Sequence, residues 1–268
     1  MLRFKVLGPL EVFDDDRICT PTPPKVRRVL ALLLLRANQV VPMDAIIEEL
    51  WSEEPPLSAV GTAQTYIYQL RKALDRSATP ADGSEWLLTK PPGYLMRVTP
   101  DQIDSYEFEQ LSRQGREMLD AGRFDQASRV LHRALAMWEG PSLANVRAGD
   151  LIQAHAIHLE EQRMRTLELR IQADAELGRH PELVGEMRSL VSSHPLNEWF
   201  HGQLIVSLNR CGRRGEALQA YQNLRMVLNE QLGLDPQPAL QLLQREVLTN
   251  GAPRTSVFNP YLPLAAAA

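Results

Sequence analysis

Residues 60–74 alternate between apolar and polar side chains with the period of an α-helix. The polar face combines amides, hydroxyls and cations, and no carboxylate follows before Asp75, so this face would not repel DNA phosphates. The pattern predicts a DNA-contacting helix over Thr62–Leu74, and an ordinary amphipathic helix is the alternative. The apolar stripe comprises Val60, Ala63, Ile67, Leu70 and Leu74. The polar face comprises Thr62, Thr65, Tyr66, Gln69 and Lys72, with Tyr68 and Arg71 at its flanks.

Two further helices are predicted upstream of this segment. The first runs from Pro24 to about Asn38, and its apolar interior is too short to span a bilayer, so it is predicted to be a buried core helix. Its N-terminal end is basic, with Lys25, Arg27 and Arg28. The second is an amphipathic helix over Pro42–Trp51.

A short hairpin is predicted after the third helix. Apolar residues at 86–89 and 94–98 flank a turn at Pro91–Gly93, which is typical of two strands joined tightly. Three helices and a hairpin are the layout of a winged helix-turn-helix. Lys90 and Tyr94 lie at the base of this wing and are candidates for contacts with the DNA backbone or minor groove. Packing of Tyr94 against the third helix is an equally good interpretation.

The chain opens with a strand-like pattern. Short apolar runs between Phe4 and Phe13 are interrupted by Gly8-Pro9 and end at Asp14–Asp16. The acidic triplet is predicted to form a hairpin turn rather than a metal site, because no further ligands follow at the spacing of a calcium loop.

Beyond about residue 100 the sequence consists of long helical segments with an internal repeat. A Gly-Arg pair, with a small or apolar residue five positions after the glycine, begins at Gly122, Gly178 and Gly212. The last two glycines are 212 − 178 = 34 residues apart, which is the tetratricopeptide period. The first two are 56 apart, which leaves an insertion of about 22 residues. The spacing predicts stacked helical hairpins with a concave surface for partners.

Charge and cysteine content restrict the function classes only partly. The first 100 residues contain 12 basic and 12 acidic residues, and the whole chain has a net charge of −4. Any affinity for DNA must therefore come from local cationic clusters. Cys19 and Cys211 lie far apart without a partner motif, and the start carries no signal peptide, so a cytoplasmic protein is expected.

The sequence carries none of the common motifs of catalysis. The sequence has no P-loop, no Gly-x-Ser-x-Gly and no His-Glu-x-x-His. His155, His158 and Glu161 share a helix face, but without a third convincing ligand they are predicted to be surface residues rather than a metal site. We therefore predict neither an enzyme nor a bound cofactor or metal.

The chain resembles the Streptomyces antibiotic regulatory protein (SARP) family over residues 1 to about 250. The resemblance rests on Val6–Val12, on Leu50-Trp51 before a Pro-Pro loop, on the helix from Thr62, on Pro92–Tyr94 and on Leu228–Pro236. It implies a mainly α fold with a small β content, in which an OmpR-like winged helix precedes an all-α, tetratricopeptide-like bacterial transcriptional activation domain. The implied function is activation of antibiotic biosynthetic gene clusters through direct repeats near the −35 element and recruitment of RNA polymerase.

The resemblance also implies roles for individual residues. Thr65, Gln69 and Tyr68 would contact bases, and the amide of Gln69 can bond to adenine with both of its groups. Phosphate contacts are expected from Lys25, Arg27, Arg28, Thr62, Tyr66, Arg71, Lys72, Lys90 and Tyr94. The related helices are often more basic where this chain has Tyr68-Gln69.

The loop Ser52–Ser58 matches the position that contacts polymerase in OmpR-type activators. Its carboxylates would suit a basic patch on sigma factor region 4 or on the alpha subunit. The residues expected to make this contact are Glu53, Glu54, Pro55, Pro56 and Leu57. The alternative is a plain connecting loop. A head-to-tail homodimer would fit tandem sites, because direct repeats need no two-fold axis.

The sequence is compatible with three hypotheses for the function. The first is a sequence-specific activator, the second is a repressor of the same architecture, and the third is a tetratricopeptide-type interaction regulator with weak DNA binding. The predicted domains are a winged helix at 1–99 and an activation domain at 100–250. A disordered tail is predicted at 251–268.

Overall fold

The computed structural model describes residues 2–75, 86–249 and 257–258. Contacts between Cα atoms group the chain into two compact units. The first consists of Met1–Arg116 and Val130–Leu167, and the second consists of Glu117–Arg129 and Glu168–Ala268. The predicted winged-helix residues all fall in the first unit.

A three-stranded antiparallel sheet opens the first unit, as the N-terminal pattern predicts. Its strands β1 (Leu2–Lys5), β2 (Glu11–Asp14) and β3 (Arg17–Ile18) lie in the order β1-β2-β3. Leu2, Phe4 and Val12 point into the core because alternate residues of a strand share a face. Asp15 and Asp16 of the acidic triplet form the turn between β2 and β3, and Asp15 has a φ of +51°.

Three helices follow the sheet and form the centre of the first unit. They are α1 (Pro24–Leu35), α2 (Met43–Trp51) and α3 (Ala59–Asp75). The run from Val29 to Leu34 in α1 is buried on every side, which confirms the prediction of a core helix. This helix ends before Asn38, which adopts a φ of +63° and exchanges two hydrogen bonds with the backbone of Val98, at 2.8 and 3.2 Å.

A second three-stranded sheet contains the predicted hairpin. Its strands β5 (Leu87–Lys90) and β6 (Gly93–Met96) pair antiparallel, and β4 (Val40–Pro42) pairs with the other side of β6. The sequence pattern does not predict β4, because three residues are too few to show an alternation. Gly93 is required where β6 meets β4, since a Cβ there would lie 1.8 Å from the carbonyl oxygen of Val41.

The first unit also includes parts of the helical region. A 3₁₀ turn at Pro100–Gln102 leads into α4 (Asp104–Asp120), which is followed by α5 (Phe124–Leu135) and α6 (Asp150–Glu176). The Asp104 carboxylate accepts hydrogen bonds from the backbone N–H groups of Val6 and Leu7, and burial raises its pKa to about 6. One hydrophobic core therefore extends from β1 through α3 to Leu159.

Four helices complete the second unit. They are α7 (His180–Ser193), α8 (Glu198–Arg210), α9 (Arg214–Leu232) and α10 (Pro238–Leu248). Gly122, Gly178 and Gly212 all adopt a φ between +70° and +75° at the ends of helices. Each of these turns has the same two backbone hydrogen bonds, which are those of a Schellman cap. The predicted helical repeat is thereby confirmed.

A buried ionic network ties the second unit together. Arg170 pairs with Asp174 at 3.2 Å and with Glu186, to which its Nη1 donates at 2.8 Å. Asp174 also accepts from Ser128 at 2.7 Å and from Arg179 at 2.8 Å. Buried charges of this kind are tolerated only when they are paired and hydrogen-bonded, and the network supplies both.

The predicted disordered tail lies outside the described residues except for Val257 and Phe258, and both of these are buried. None of the described helices combines the length and the hydropathy needed to cross a bilayer.

Candidate nucleic-acid interface

Helix α3 has one buried face and one face open to solvent. Ala63, Ile67, Leu70 and Leu74 are at most 1 % exposed, which confirms most of the predicted stripe. Val60 is 51 % exposed, so its assignment to the buried stripe is wrong. It lies in the first turn of α3, next to the exposed loop, where the core no longer covers the helix. The exposed face comprises Gly61, Gln64, Thr65, Tyr68, Gln69 and Lys72.

Gln64 belongs to this exposed face and was missed by the sequence reasoning. Its signal is the spacing of residues 61, 64, 68 and 72, which follow one another along the same side of a helix. Thr65 is exposed, but its hydroxyl donates to the carbonyl of Gly61 at 2.9 Å, so toward a base it can act only as an acceptor. Tyr68 and Gln69 are both exposed to solvent.

Three side chains from the three helices stack beside the open face of α3. The Lys25 ammonium lies 4.5 Å from the centre of the Trp51 ring, and Trp51 stacks on Tyr66 at 6.4 Å between ring centres. The interplanar angle of 25° is close to parallel. Lys25 and Tyr66, both predicted phosphate contacts, are thus held in place by the same tryptophan.

The other two cations of α1 are occupied by the protein itself. Arg27 donates to the carbonyls of Pro21, Thr22 and Asn145 at 3.1–3.3 Å. Arg28 is half-buried, donates to the carbonyls of Leu50 and Arg147, and lies 3.4 Å from the Glu49 carboxylate. Arg27 and Arg28, which the sequence predicts to contact phosphates, therefore direct these guanidinium N–H groups to backbone carbonyls of the first unit.

Arg71 likewise connects two elements rather than projecting freely. Its guanidinium donates twice to the carbonyl of Leu87, at 3.1 and 3.2 Å, and once to the Thr89 hydroxyl at 2.7 Å. The guanidinium carbon also lies 5.7 Å from the centre of the Tyr94 ring. Tyr94 is only 8 % exposed, so the structure gives it a packing role between α3 and the wing. Lys72 and Lys90 are exposed and reach solvent.

The loop between α2 and α3 is open to solvent along its whole length. Every residue from Ser52 to Ser58 is exposed, and the Leu57 side chain has no cover at all. Ser52 ends α2 with a φ of +52°, a conformation that non-glycine residues rarely adopt. Such strain persists where the surrounding structure requires a particular chain direction, and it is common at functional sites.

A buried carboxylate fixes the end of α2, and no sequence motif announces it. Glu49 is 1 % exposed, and its two oxygens accept from the backbone N–H groups of Gly149, Leu151 and Ile152 at 2.5–3.1 Å. These are the unpaired donors at the N-terminus of α6, where a negative charge is favoured. Glu49 therefore anchors α2, and with it the start of the loop, to α6 within the first unit.

The part of the chain that the structure describes contains no group of three His, Cys, Asp or Glu side chains arranged to hold a metal ion. Nδ1 of His155, in the predicted surface cluster, donates to the carbonyl of Leu151 in its own helix, at 2.8 Å.

Two family models match the chain in tandem. The model described as transcriptional regulatory protein, C terminal, matches residues 19–96, which contain the three helices and the wing. The bacterial transcriptional activator domain matches residues 103–248.

Full-length comparisons point in the same direction. The chain is 37 % identical over 268 residues to the regulatory protein DnrI of Streptomyces peucetius, a match that covers 99 % of this chain and 98 % of that protein. It is 36 % identical to the regulatory protein AfsR of Streptomyces coelicolor, where the match covers 92 % of this chain but only 24 % of the longer relative.

A solved structure titled as Mycobacterium tuberculosis EmbR in complex with a low affinity phosphopeptide superposes with a TM-score of 0.87. It is 33 % identical and covers 95 % of this chain, which in turn spans 66 % of that one. The predicted fold class is confirmed, and the relatives are named as regulators rather than enzymes. The chain belongs to the Streptomyces antibiotic regulatory protein family of transcriptional regulators.

Proposed function

We propose that this chain is a sequence-specific DNA-binding activator of a secondary-metabolite gene cluster, and that α3 reads the major groove. The observation that carries the proposal is the open face of α3. Its exposed side chains are amides, hydroxyls and a cation, and no carboxylate occurs between Glu54 and Asp75. Side chains of these types recognise base edges and phosphates.

Gln64, Tyr68 and Gln69 are the proposed base-reading residues, together with Thr65 as an acceptor. The amides have both a donor and an acceptor, so each can pair with adenine through two hydrogen bonds. Gln64 and Gln69 lie on the same exposed side, five residues apart, and flank Thr65 and Tyr68. This arrangement allows neighbouring base pairs to be read by one helix inserted in the groove.

Phosphate contacts are proposed for two groups of side chains around this face. Lys25 and Tyr66, which pack on Trp51, would contact phosphates of one DNA strand. Lys72, on the other side of the helix, and Lys90, in the wing, would contact further phosphates. The guanidiniums of Arg27, Arg28 and Arg71 contribute mainly by fixing the geometry, because their hydrogen bonds go to the protein. The hydroxyl of Thr62 lies 3.5 Å from that of Ser58 at the start of the helix, which suits a backbone phosphate.

The exposed loop Ser52–Ser58 is proposed as the contact with RNA polymerase. Glu53 and Glu54 are acidic and fully available, and they would pair with a basic patch on sigma factor region 4 or on the alpha subunit. Direct repeats near the −35 element would place two chains head to tail, with this loop of one chain facing the polymerase. A repressor with the same interface would bind the same DNA and would differ only in the sign of its effect on transcription.

Selection of bound fragments from random DNA tests this proposal. The expected result is recovery of a direct repeat whose affinity exceeds that of scrambled DNA by about a thousandfold or more. Affinity for the scrambled fragment should fall with salt as phosphate contacts are lost. Failure to recover any motif would contradict the proposal and would favour the interaction regulator with weak DNA binding. Transcription from the recovered site then separates an activator from a repressor.

A further inference from the structure

A cavity of about 310 Å³ lies along one face of α8 in the second unit. The α8 residues that line it are His201, Leu204 and Leu208, and their spacing of three and four residues places them on one side of the helix. Residues of α7 and α9 complete the lining. The volume falls at the lower end of the range of small-molecule sites, about 300–1,000 Å³, so the cavity suits one compact ligand.

The imidazole of His201 contributes an acceptor to this cavity. His201 is 3 % exposed, and its Nε2 lies 3.1 Å from the carbonyl of Pro195. Because a carbonyl can only accept, Nε2 carries the ring proton, and burial lowers the pKa of the imidazole, so the ring is neutral. Nδ1 is then an acceptor, and none of the residues that the structure describes donates to it. Buried polar atoms normally have a partner, so this end of the cavity suits a ligand that donates a hydrogen bond.

Two arginines meet a single carboxylate at the other end of the cavity. Glu216 accepts from Arg188 of α7, and from Arg213, which precedes α9, at 2.7 and 2.8 Å. One carboxylate thus balances only one of two positive charges. The contacts use one N–H group of Arg188 and two of Arg213, whereas each guanidinium has five. All three side chains are about half exposed, so a second anion can reach these guanidiniums.

Apolar side chains lie between the two ends. Leu204, Leu208 and Ala220 line the cavity, and each is less than one-tenth exposed. A tight turn at Gly212 joins α8 to α9, so Glu216 at the start of α9 lies beside the end of α8. The α8 positions 201 and 208 are seven residues apart, which is about 10 Å along a helix. A ligand would therefore need an anion and a donor about this far apart, with an apolar body between them.

We propose that this cavity binds a small organic acid, whose carboxylate pairs with Arg188 and Arg213 and whose hydroxyl donates to Nδ1 of His201. The ligand class is that of elongated, hydroxylated aliphatic carboxylic acids. The bound acid would contact α7, α8 and α9 at once and would stabilise their packing, so it would act as an effector of the helical domain. This inference does not depend on the proposed DNA contacts.

Titration of the full chain with 8-hydroxyoctanoate, followed by nuclear magnetic resonance, tests the proposal. The extended probe matches the spacing of the two polar ends, and a ligand of this size is expected to bind with a Kd in the millimolar range. The matched controls are octanoate, which lacks the hydroxyl, and 1,8-octanediol, which lacks the carboxylate. Each control should bind about fivefold or more weakly, because it loses one polar contact. Equal or tighter binding of either control, or no binding of 8-hydroxyoctanoate at millimolar concentration, would overturn the proposal.

Variants and the His201 signal locate the bound acid. Arg188→Gln is expected to weaken binding of 8-hydroxyoctanoate about tenfold and to leave 1,8-octanediol unchanged, because only the acid carries a charge. Arg225→Gln is the control, since Arg225 pairs with Asp235 and does not line the cavity, and it should change neither affinity. The ¹⁵N shift of His201 Nδ1 should move with 8-hydroxyoctanoate and much less with octanoate. Equal losses in both variants, or a Nδ1 signal that does not respond to 8-hydroxyoctanoate, would refute the proposed site.

Discussion

Three arginines of the first unit use their guanidinium groups mainly to join elements of the protein and not to present charge to solvent. Arg27, Arg28 and Arg71 each direct most of their donors to carbonyl or hydroxyl groups of the protein. Lysines carry the charge that remains open to solvent at Lys72 and Lys90. The planar fork of arginine is suited to fixed bonds of this kind, whereas the lysine ammonium is a mobile point charge that suits phosphate.

Arg71 and Lys72 are adjacent and are predicted to respond differently to truncation. Arg71→Ala removes three hydrogen bonds between α3 and the wing, and we expect a loss of about 1–2 kcal/mol in the free energy of unfolding along with weaker DNA binding. Lys72→Ala is the matched control: its unfolding free energy should stay within about 0.5 kcal/mol, while the salt dependence of DNA binding flattens by about one charge. Denaturant titrations and salt-dependent binding measure both quantities. A stable Arg71→Ala variant with a flattened salt slope would show that Arg71 is a free phosphate contact.

The limits of sequence reasoning are clearest at these residues. A basic residue at the start of α1 or on the flank of α3 predicts a phosphate contact equally well whether or not a carbonyl lies nearby. The carbonyls of Asn145 and Arg147 are more than 110 residues away from the arginines that bind them, so no local pattern could reveal them. Ala63, Ile67, Leu70 and Leu74 were predictable because helical periodicity is a local property.

At the scale of elements, glycine turns and a buried carboxylate hold the helices in place. The repeat was predictable because every helical hairpin needs a residue with positive φ at its turn. Gly178 and Gly212 both have a positive φ and are separated by the tetratricopeptide period. Strand β4 and the cap formed by Glu49 were not predictable. Both depend on partners that are distant in sequence, namely β6 and the N-terminus of α6.

Gly178→Ala is expected to destabilise the second unit by about 1–2 kcal/mol. The residue has a φ of +75°, which places a Cβ in an unfavourable position even though the space around it is empty. Gly185→Ala is the control, because Gly185 lies within α7 with open space around it, and alanine there should stabilise by up to about 1 kcal/mol. Thermal unfolding of the two variants compares them directly. If both variants shift the midpoint in the same direction, the turn does not depend on glycine.

Glu49→Gln is expected to lower the free energy of unfolding by about 2–4 kcal/mol. The change leaves one acceptor for three backbone N–H donors and removes the countercharge of Arg28. The neighbouring Glu48 is exposed, so Glu48→Gln should have an effect below about 0.5 kcal/mol. Chemical denaturation followed by circular dichroism measures the difference. Equal stability of the two variants would mean that Glu49 does not cap α6.

At the scale of the whole molecule, DNA binding and activation are proposed for two separate surfaces. Helix α3 and the lysines around it would bind DNA, whereas the exposed loop Ser52–Ser58 would contact polymerase. These two surfaces share the end of α2 but have no residue in common. Variants that affect one function and spare the other can therefore be made.

The double substitution Glu53→Ala, Glu54→Ala is expected to leave DNA affinity within about twofold and to reduce transcription about fivefold or more, because two charges of the polymerase contact are lost. Transcription with purified RNA polymerase on a template with the selected site measures this. Glu48→Ala removes an exposed carboxylate outside the loop and should leave transcription unchanged. Full activation by the double variant would show that the loop is only a connection.

Binding isotherms for the wild-type chain and Gln69→Ala, on the selected site and on scrambled DNA, would show whether α3 reads the base sequence. Gln69→Ala is expected to bind the selected site about tenfold or more weakly, since one two-bond base contact contributes about 1–3 kcal/mol, and to bind scrambled DNA as the wild-type chain does. An equal loss on both DNA fragments, or no loss on either, would contradict the claim that α3 reads the base sequence through this residue.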